Sequence, residues 1–468
     1  MTWEPCFSMV RCRGLGTAGA IALVTVGGCR TSTVEAASPD VDVVANEGGS
    51  GSKPAVRLAL KLVREWPACA TCPALASRHT RVFALSSQRL ATESACYDAL
   101  SGRTWSGAWN IGELDEAGHF DPWVELPPFA GSVGMDALPS DRGFALLVTS
   151  RQTESVNMPF GKQLSPGDWL LAVFVGAKSS PATRTLASEF EDDGGEDFGR
   201  VVAHEDGLVS YGCVHGGGVI GGVAVSEQEQ PCLVSGTDTA LAPRYVWLKS
   251  REPGRSLQRS MDVAVRDDGM VDVVVAGDSL ALTTLSSSGR EKKSVDDPRI
   301  GVRSLAILEN HQPRRCVLVV EDRWRARAQR RDEAWEAPLR LRVYCSDLSL
   351  DSWERDFSWS APGKPSRQLV FATAPGRDGG TWIAATASSP TQAPRTWLLV
   401  LDRHLTLVAQ SEALPGRVSS LTSSGSGVLM SFERSTGGPG PHGEAPASVC
   451  QILHALLETQ GIPTEQND

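Results

Sequence analysis

The sequence predicts an all-β protein, and three observations lead to that class. From residue 56 onward, short apolar runs of strand length follow one another, and almost none has helical spacing. The chain has 46 Gly and 28 Pro residues among its 468, which supplies turns without indicating disorder. Gly and Asp-Gly stand between many of the runs, as hairpin turns require.

A strand–turn–strand unit recurs along the body, with a nearly continuous apolar run after each turn. That run indicates a strand buried on both faces. Copies lie at 80–97, 132–150, 201–214, 261–277, 304–321, 368–386 and 418–433. With the strand-like runs that follow each copy, the period is typical of a single β-propeller with four-stranded blades. We expect seven blades, with six or eight as alternatives; tandem β-sandwich domains would also give short strands and turns.

The two ends of the body are predicted to share a blade. Residues 56–63 read as a strand that can complete the last blade together with residues 418–458. Within that last segment, apolar residues at 449, 452, 453, 456 and 457 have the spacing of an amphipathic helix. This segment is therefore predicted to form either a short terminal helix or the penultimate strand of the last blade. Trp382 and Trp397 occupy strand positions and are expected to pack between blades.

The N-terminus has the parts of an export signal. Arg11 and Arg13 precede an apolar run at 15–26, which is too short to span a bilayer of about 30 Å as a helix. The run ends in VGGC (residues 26–29), which resembles the lipobox of bacterial lipoproteins. The resemblance implies that residues 1–28 are a signal peptide and that Cys29 becomes the lipid-bearing N-terminus.

The segment after the proposed cleavage site predicts a flexible tether. Residues 29–55 are small and polar and include a GGSGS stretch, so the propeller-like domain is expected to span 56–468. Arg30 follows Cys29, whereas an acidic residue there can retain members of that family at the inner membrane. The resemblance thus implies an exported protein bound to a membrane by its lipid. The outer membrane is favoured over the inner where a cell has both.

The cysteines fit an oxidising compartment. Of 11 cysteines, eight lie beyond Cys29, and an even set in an exported protein predicts disulfides. Cys213 with Cys232, and Cys316 with Cys345, lie on neighbouring strand-like runs and are the predicted pairs. Nothing in the sequence excludes other pairings of the eight.

Cys69 and Cys72 have the C-x-x-C spacing of redox dithiols and of half a zinc site. A reactive dithiol needs a helix N-terminus, and zinc needs a second ligand pair. The sequence shows neither, so we predict a structural disulfide, within the pair or to Cys96 or Cys450. No metal site and no cofactor is predicted.

Two catalytic motifs are present only in part. The segment 277–280 (GDSL) follows an apolar strand and resembles the nucleophile block of GDSL-type esterases, but the Asp-x-x-His of that family does not follow. The segment 215–218 (HGGG) resembles an oxyanion-hole motif without the G-x-S-x-G that would accompany it. We interpret 277–280 as a connection between strands and 216–222 as a flexible loop.

The charge and the lack of a catalytic set narrow the function to two classes. A net charge of −10 argues against a nucleic-acid partner. The first class is a membrane-anchored lipoprotein that acts as a non-catalytic binding or scaffold module in the cell envelope. Its loops would meet a protein or polysaccharide. The second is an exported propeller hydrolase or lyase acting on polysaccharide, which needs a carboxylate pair in the channel. No catalytic residue is predicted, so an enzyme is less favoured and not excluded.

Overall fold

A computed structural model gives the fold, and the residues that it describes all lie within the unit Pro39–Asp468. Their regular structure is entirely β-strand. The described ranges are 56–66, 76–84, 89–98, 103–114, 120–126, 132–137, 143–149, 156–157, 163–164, 170–176, 181–191, 200–204, 206–213, 217–220, 223–225, 231–240, 242–249, 260–276, 279–297, 302–308, 314–321, 339–347, 352–362, 368–376, 378–389, 392–425, 427–435 and 448–459.

The strands are numbered in chain order. The first seventeen are β1 (Val56–Trp66), β2 (Ala76–Ala84), β3 (Arg89–Asp98), β4 (Arg103–Leu114), β5 (Phe120–Leu126), β6 (Ser132–Ala137), β7 (Gly143–Thr149), β8 (Val156–Asn157), β9 (Gln163–Leu164), β10 (Leu170–Gly176), β11 (Pro181–Glu191), β12 (Arg200–His204), β13 (Gly207–Cys213), β14 (Gly217–Ile220), β15 (Val223–Val225), β16 (Cys232–Asp238) and β17 (Pro243–Lys249).

The remaining strands are β18 (Ser260–Val265), β19 (Val271–Ala276), β20 (Leu280–Leu285), β21 (Glu291–Asp297), β22 (Val302–Leu308), β23 (Arg315–Glu321), β24 (Arg340–Asp347), β25 (Ser352–Ser360), β26 (Gln368–Pro375), β27 (Thr381–Ser389), β28 (Gln392–Leu401), β29 (Leu407–Gln410), β30 (Leu414–Pro415), β31 (Arg417–Ser424), β32 (Gly427–Ser435) and β33 (Ser448–Thr459).

In the described part of the chain these strands form seven antiparallel sheets of four or more strands, beside the small pair β8–β9. Within the larger sheets most neighbours are consecutive along the chain. The sheets are sheet 1 (β2–β5), sheet 2 (β6, β7, β10, β11, β14, β15), sheet 3 (β12, β13, β16, β17), sheet 4 (β18–β21), sheet 5 (β22–β25), sheet 6 (β26–β30) and sheet 7 (β31, β32, β33, β1).

From sheet 2 onward, successive sheets meet through their first strands. Strand β6 contacts β12, β12 contacts β18, and β18 contacts β22. The series continues from β22 to β26, from β26 to β31, and from β31 of the last sheet to β2 of the first. Four-stranded meanders placed side by side with their first strands innermost make a β-propeller, not tandem β-sandwiches. The all-β propeller prediction is therefore confirmed, while the number of blades stays a prediction.

The last sheet joins the two ends of the body. Strand β1 pairs antiparallel with β33, from Val56 opposite Thr459 to Trp66 opposite Cys450. Gln451 Nε2 also donates a hydrogen bond of 2.7 Å to Oε2 of Glu65. This pairing confirms that the N-terminal strand of the body completes the last sheet.

The terminal-helix alternative is wrong, because β33 is a strand between β32 and β1, the penultimate position in its sheet. Ile452 and Ala455 are three positions apart on β33, so their side chains point to opposite faces of the sheet, yet both are fully buried. A strand covered on both faces has no need to alternate apolar with polar residues. Apolar residues can therefore fall at helical spacing by chance.

Both faces of the middle strands are buried, which explains the continuous apolar runs. Val273 and Val275 of β19 pack with Val209 of sheet 3. Val274, which points to the other face, packs with Val317 of sheet 5. Burial of this kind contributes roughly 25 cal/mol per Å² of apolar surface, so the interfaces between sheets are the core of the protein.

The two tryptophans assigned to blade interfaces are found there. Trp382 of β27 is buried with Phe432 in the cluster between sheets 6 and 7. Trp397 lies between sheets 5 and 6, with its ring 5.8 Å from that of Trp359 in an edge-on arrangement. Trp359 Nε1 donates a 3.1 Å hydrogen bond to Oε1 of Gln410, which satisfies its polar atom in the core.

Both predicted disulfides form between residues directly opposite each other. Cys213 of β13 faces and bonds Cys232 of β16. Cys316 of β23 likewise bonds Cys345 of β24. Cys69 and Cys72 lie outside the described residues, as do Cys29, the signal and the tether, so those assignments stay predictions.

Replacing both Cys316 and Cys345 by Val is expected to lower the free energy of unfolding by about 3 to 4 kcal/mol, because their link closes a loop with a sequence separation of 29. Urea unfolding under oxidising conditions measures the loss. Treatment of the parent with a reductant before unfolding should abolish the difference. Recovery of the two cysteine peptides unlinked from a non-reducing digest would contradict the pairing.

Two glycine turns in sheet 4 share a backbone geometry but differ in surroundings. The amide of Gly269 donates to Arg266 O at 2.9 Å, and that of Gly289 donates to Ser286 O at 2.8 Å. Their φ angles are 75° and 76°, in the left-handed region that glycine tolerates. The ring of Tyr245 from sheet 3 lies where a Cβ at Gly289 would stand, whereas the nearest atom to a Cβ at Gly269 is 3.7 Å away.

Gly289→Ala is therefore expected to destabilise the protein more than Gly269→Ala. The backbone strain common to both costs about 1 to 2 kcal/mol. Displacing the Tyr245 ring adds about 1 to 3 kcal/mol for the first variant alone. Urea unfolding compares the two variants, and equal losses would show that Tyr245 does not hold sheet 3 against this turn.

Candidate functional site

The first strands of sheets 3 to 6 surround a cavity of about 240 Å³. Its described lining includes apolar residues such as Val201, Val263 and Leu308, but most of the surface exposed in the cavity is polar. Polar groups come from Tyr211, Asp262, Thr373 and Thr381. Because these residues come from four sheets, the cavity exists only when the sheets pack around their common centre.

Asp262 ties three sheets together at this cavity. It lies on β18 between Met261 and Val263, which are both buried against sheet 3. Its Oδ1 accepts a 2.7 Å hydrogen bond from the hydroxyl of Tyr211 in sheet 3. Its Oδ2 accepts a 2.8 Å bond from the backbone amide of Ile307 in sheet 5. One side chain thus fixes the relative position of sheets 3, 4 and 5.

The surroundings of Asp262 disfavour its charged form. Burial raises the pKa of the Asp262 carboxyl above its ordinary value, opposed in part by the positive charge of Arg200 and by hydrogen bonds from Ile307, Tyr211 and the amide of Val263. Arg200 acts from a distance, since its Nη1 donates at 3.1 Å to the carbonyl of Met261. Within the described part of the chain, no Lys or Arg forms an ion pair with this carboxylate.

A second acid of sheet 4 has the opposite surroundings. Asp272 of β19 accepts two hydrogen bonds from Arg266, at 2.8 Å from Nε and 2.7 Å from Nη2. Thr284 Oγ1 donates to it at 2.7 Å, and Arg315 Nε of sheet 5 lies 2.6 Å from its Oδ2. Its charge is compensated within the protein, so we interpret this cluster as a link between sheets 4 and 5.

A third polar cluster lies between sheets 4 and 5. Tyr344 Oη donates to Glu321 Oε1 at 2.5 Å, and Arg342 Nη1 lies 2.6 Å from the same oxygen. Burial, and secondly the bond to Glu321, raise the pKa of the Tyr344 hydroxyl. Here too the acid has a cation beside it, so Asp262 differs from both neighbours in lacking one.

The arrangement offers one carboxylate, not the pair that glycoside hydrolysis uses. Among the described lining residues, Asp262 is the only acid. The described residues also contain no group of three or more His, Cys, Asp or Glu placed to hold a metal ion. The cavity can therefore bind a ligand through the carboxylate of Asp262 and through hydrogen bonds.

Both partial motifs adjoin described strands. Strands β19 and β20 pair directly, from Val271 opposite Leu285 to Ala276 opposite Leu280, so the GDSL segment stands in the chain between two paired strands. The loop interpretation of 216–222 is wrong for Gly217–Ile220, which form β14 and pair with β11 of sheet 2. Strand β14 pairs with the edge of β11 that lies opposite β10.

Of the predicted site residues, the structure brings together the four cysteines of the two disulfides and leaves Cys29, Cys69 and Cys72 outside the described residues. Sequence reasoning missed Asp262. A polar residue in an alternating strand is normally assigned to the solvent face. The signal available was an acid between Met261 and Val263 in the clearest copy of the repeat.

Across all described residues, no helix has the length and apolar character needed to cross a membrane.

Comparisons with known proteins gave similar solved structures but no family. No protein-family model and no curated protein matches the chain. Among solved structures, the β-propeller domain of Nup133 from Vanderwaltozyma polyspora is similar, with 7% identity and a TM-score of 0.42 over 81% of this chain and all of that one. The β-propeller domain of the Trilobed protease from Pyrococcus furiosus has 9% identity and a TM-score of 0.40, over 81% of this chain and 94% of its own. Likeness at this level carries no argument about ligand or partner.

Asp262→Asn is expected to change how stability depends on pH. Because the folded-state pKa of Asp262 is raised, the parent has stability below about pH 4 that it loses as the pH rises through the raised pKa. The amide has no such loss, so the stability of the parent relative to the variant should fall with rising pH.

Urea unfolding of both proteins across this pH range measures the effect. Asp267→Asn, at an exposed position in the turn between β18 and β19, is the matched control and should follow the parent. Parallel curves for the parent and Asp262→Asn would contradict the raised pKa.

Proposed function

We propose that this protein is an exported lipoprotein, anchored to a membrane through Cys29, whose β-propeller is a non-catalytic binding module of the cell envelope. The anchor rests on the N-terminal pattern of a basic region, a short apolar run and VGGC at residues 26–29. The tether at 29–55 would allow the propeller to reach a partner away from the membrane surface.

The observation that carries the binding role is the chemistry of the central cavity. Its one described acid is Asp262, which is engaged by the hydroxyl of Tyr211 and the amide of Ile307. A hydrolase or lyase acting on polysaccharide would need a second catalytic group facing it. A carboxylate held in place by hydrogen bonds at the edge of a cavity can bind a ligand that carries a donor or a positive charge.

The two disulfides support the proposal that the protein is exported to an oxidising compartment. Cys213–Cys232 and Cys316–Cys345 join buried strands, and such bonds persist in exported proteins and are rare in the cytosol. This is independent of the N-terminal pattern, because it depends on residues more than 180 positions beyond the signal.

Metabolic labelling with a fatty acid in a bacterial host tests the anchor. The parent should carry the label and fractionate with membranes, and Cys29→Ala should lose both, because the lipid is joined through that thiol. Cys12→Ala, which changes a cysteine upstream of the proposed cleavage site, is the matched control and should stay labelled. Labelling that persists in Cys29→Ala, or is absent from the parent, would refute the anchor.

A direct assay separates binding from catalysis. The purified full chain is incubated with envelope polysaccharide, and new reducing ends and unsaturated products are measured. No product is expected. Turnover that Asp262→Asn abolishes would overturn the non-catalytic role and support the hydrolase or lyase class.

A further inference from the structure

Asp262 has hydrogen-bond partners but no counter-ion. Its three protein donors are the hydroxyl of Tyr211 and the backbone amides of Ile307 and Val263, all of them neutral groups. Neutral donors satisfy lone pairs without cancelling the charge, and a partly buried charge without full compensation is costly. Asp272, in the same sheet, has two arginines beside it. The charge of Asp262 is offset only in part, by Arg200, which forms no ion pair with it, so a cation in the cavity can still compensate it.

The carboxylate also keeps acceptor capacity. An ionised carboxylate offers about four lone-pair sites, of which the three protein donors use three. Because Asp262 lines the cavity, a donor placed there can reach the remaining site. A charged donor forms a bond about twice as strong as a neutral one at such a position.

The rest of the lining indicates what the charged donor is attached to. Val201, Val263, Leu308 and Ala374 contribute apolar surface, while most of the exposed lining is polar, so the cavity suits a compact body that meets both kinds of group. The volume of about 240 Å³ corresponds to about eight water molecules in the liquid, which matches a compound of similar heavy-atom count.

From these observations we propose that the central cavity binds a small organic cation, in which a primary ammonium group pairs with Asp262 and the rest of the molecule lies against the mixed polar and apolar lining. This deepens the proposed function by naming the ligand class of the same cavity. It rests on the binding role and is independent of the lipid anchor. An anion would face the charge of Asp262, and a neutral compound would leave that charge uncompensated.

Arg200 provides a second, opposite test of the charge. Its guanidinium acts on Asp262 from outside the cavity lining, while it donates to the carbonyl of Met261. It therefore competes electrostatically with an incoming ammonium group. Removing its charge should therefore tighten the binding of a cation. If Arg200 had only a structural role, its replacement would weaken cation binding or leave it unchanged.

Isothermal titration of the full chain with benzylamine tests the proposal, with benzyl alcohol and benzoate as probes of the same shape. Benzylamine should bind, and the other two should bind at least tenfold more weakly. Asp262→Asn should weaken benzylamine about 10- to 100-fold, the range for a charge-assisted hydrogen bond. Asp206→Asn, outside the cavity, should bind like the parent.

Arg200→Gln should bind benzylamine more tightly than the parent, and this variant keeps the proposal testable if Asp262→Asn does not fold. Equal affinity for benzylamine and benzyl alcohol would overturn the proposal. So would an unchanged affinity in a folded Asp262→Asn, or no tightening in Arg200→Gln. If benzylamine does not bind as expected but Cys29 is labelled, the ligand class alone is rejected. If Cys29 is not labelled, the anchor is rejected and the titration result still stands.

Discussion

The structure depends on one constraint, which is that the middle strands of each sheet must bury both faces. Val273 and Val275 of β19 face sheet 3 while Val274 faces sheet 5, and the same alternation recurs from sheet to sheet. A row of such sheets would leave an apolar face open at each end. Contact of β2 with β31, β32 and β33 packs the first sheet against the last, and pairing of β1 with β33 joins the N-terminal strand of the body to the last sheet.

This constraint also decides where polar side chains can lie. Between sheets they survive only when fully compensated, as Asp272 is by Arg266, Thr284 and Arg315. The first strands border the central cavity on one side, so a polar group there need not be neutralised by the protein. Asp262 lies at such a position. The lack of an ion pair at Asp262 thus follows from its place in the fold, and it makes this acid a candidate binding group in addition to its role in joining three sheets.

Much of the fold could be predicted because each repeat is marked by features of the local sequence. Turn residues and apolar runs marked the strands, and cysteines on adjacent runs marked both disulfides. The ambiguity at β33 arose because a strand covered on both faces loses the period that separates strand from helix. The error at Gly217–Ile220 arose because pairing with β11 depends on an edge strand far from it in sequence.

The sequence by itself determined the all-β class, the two disulfide pairs and the strand that completes the last sheet, since each follows from composition, turn chemistry or period. Only the tertiary structure decided that Tyr211, Asp262 and Ile307 meet at one cavity. Their hydrogen bonds join three sheets across 51 and 45 positions of the chain. No local pattern encodes such a meeting, because it is set by the packing of whole sheets against one another.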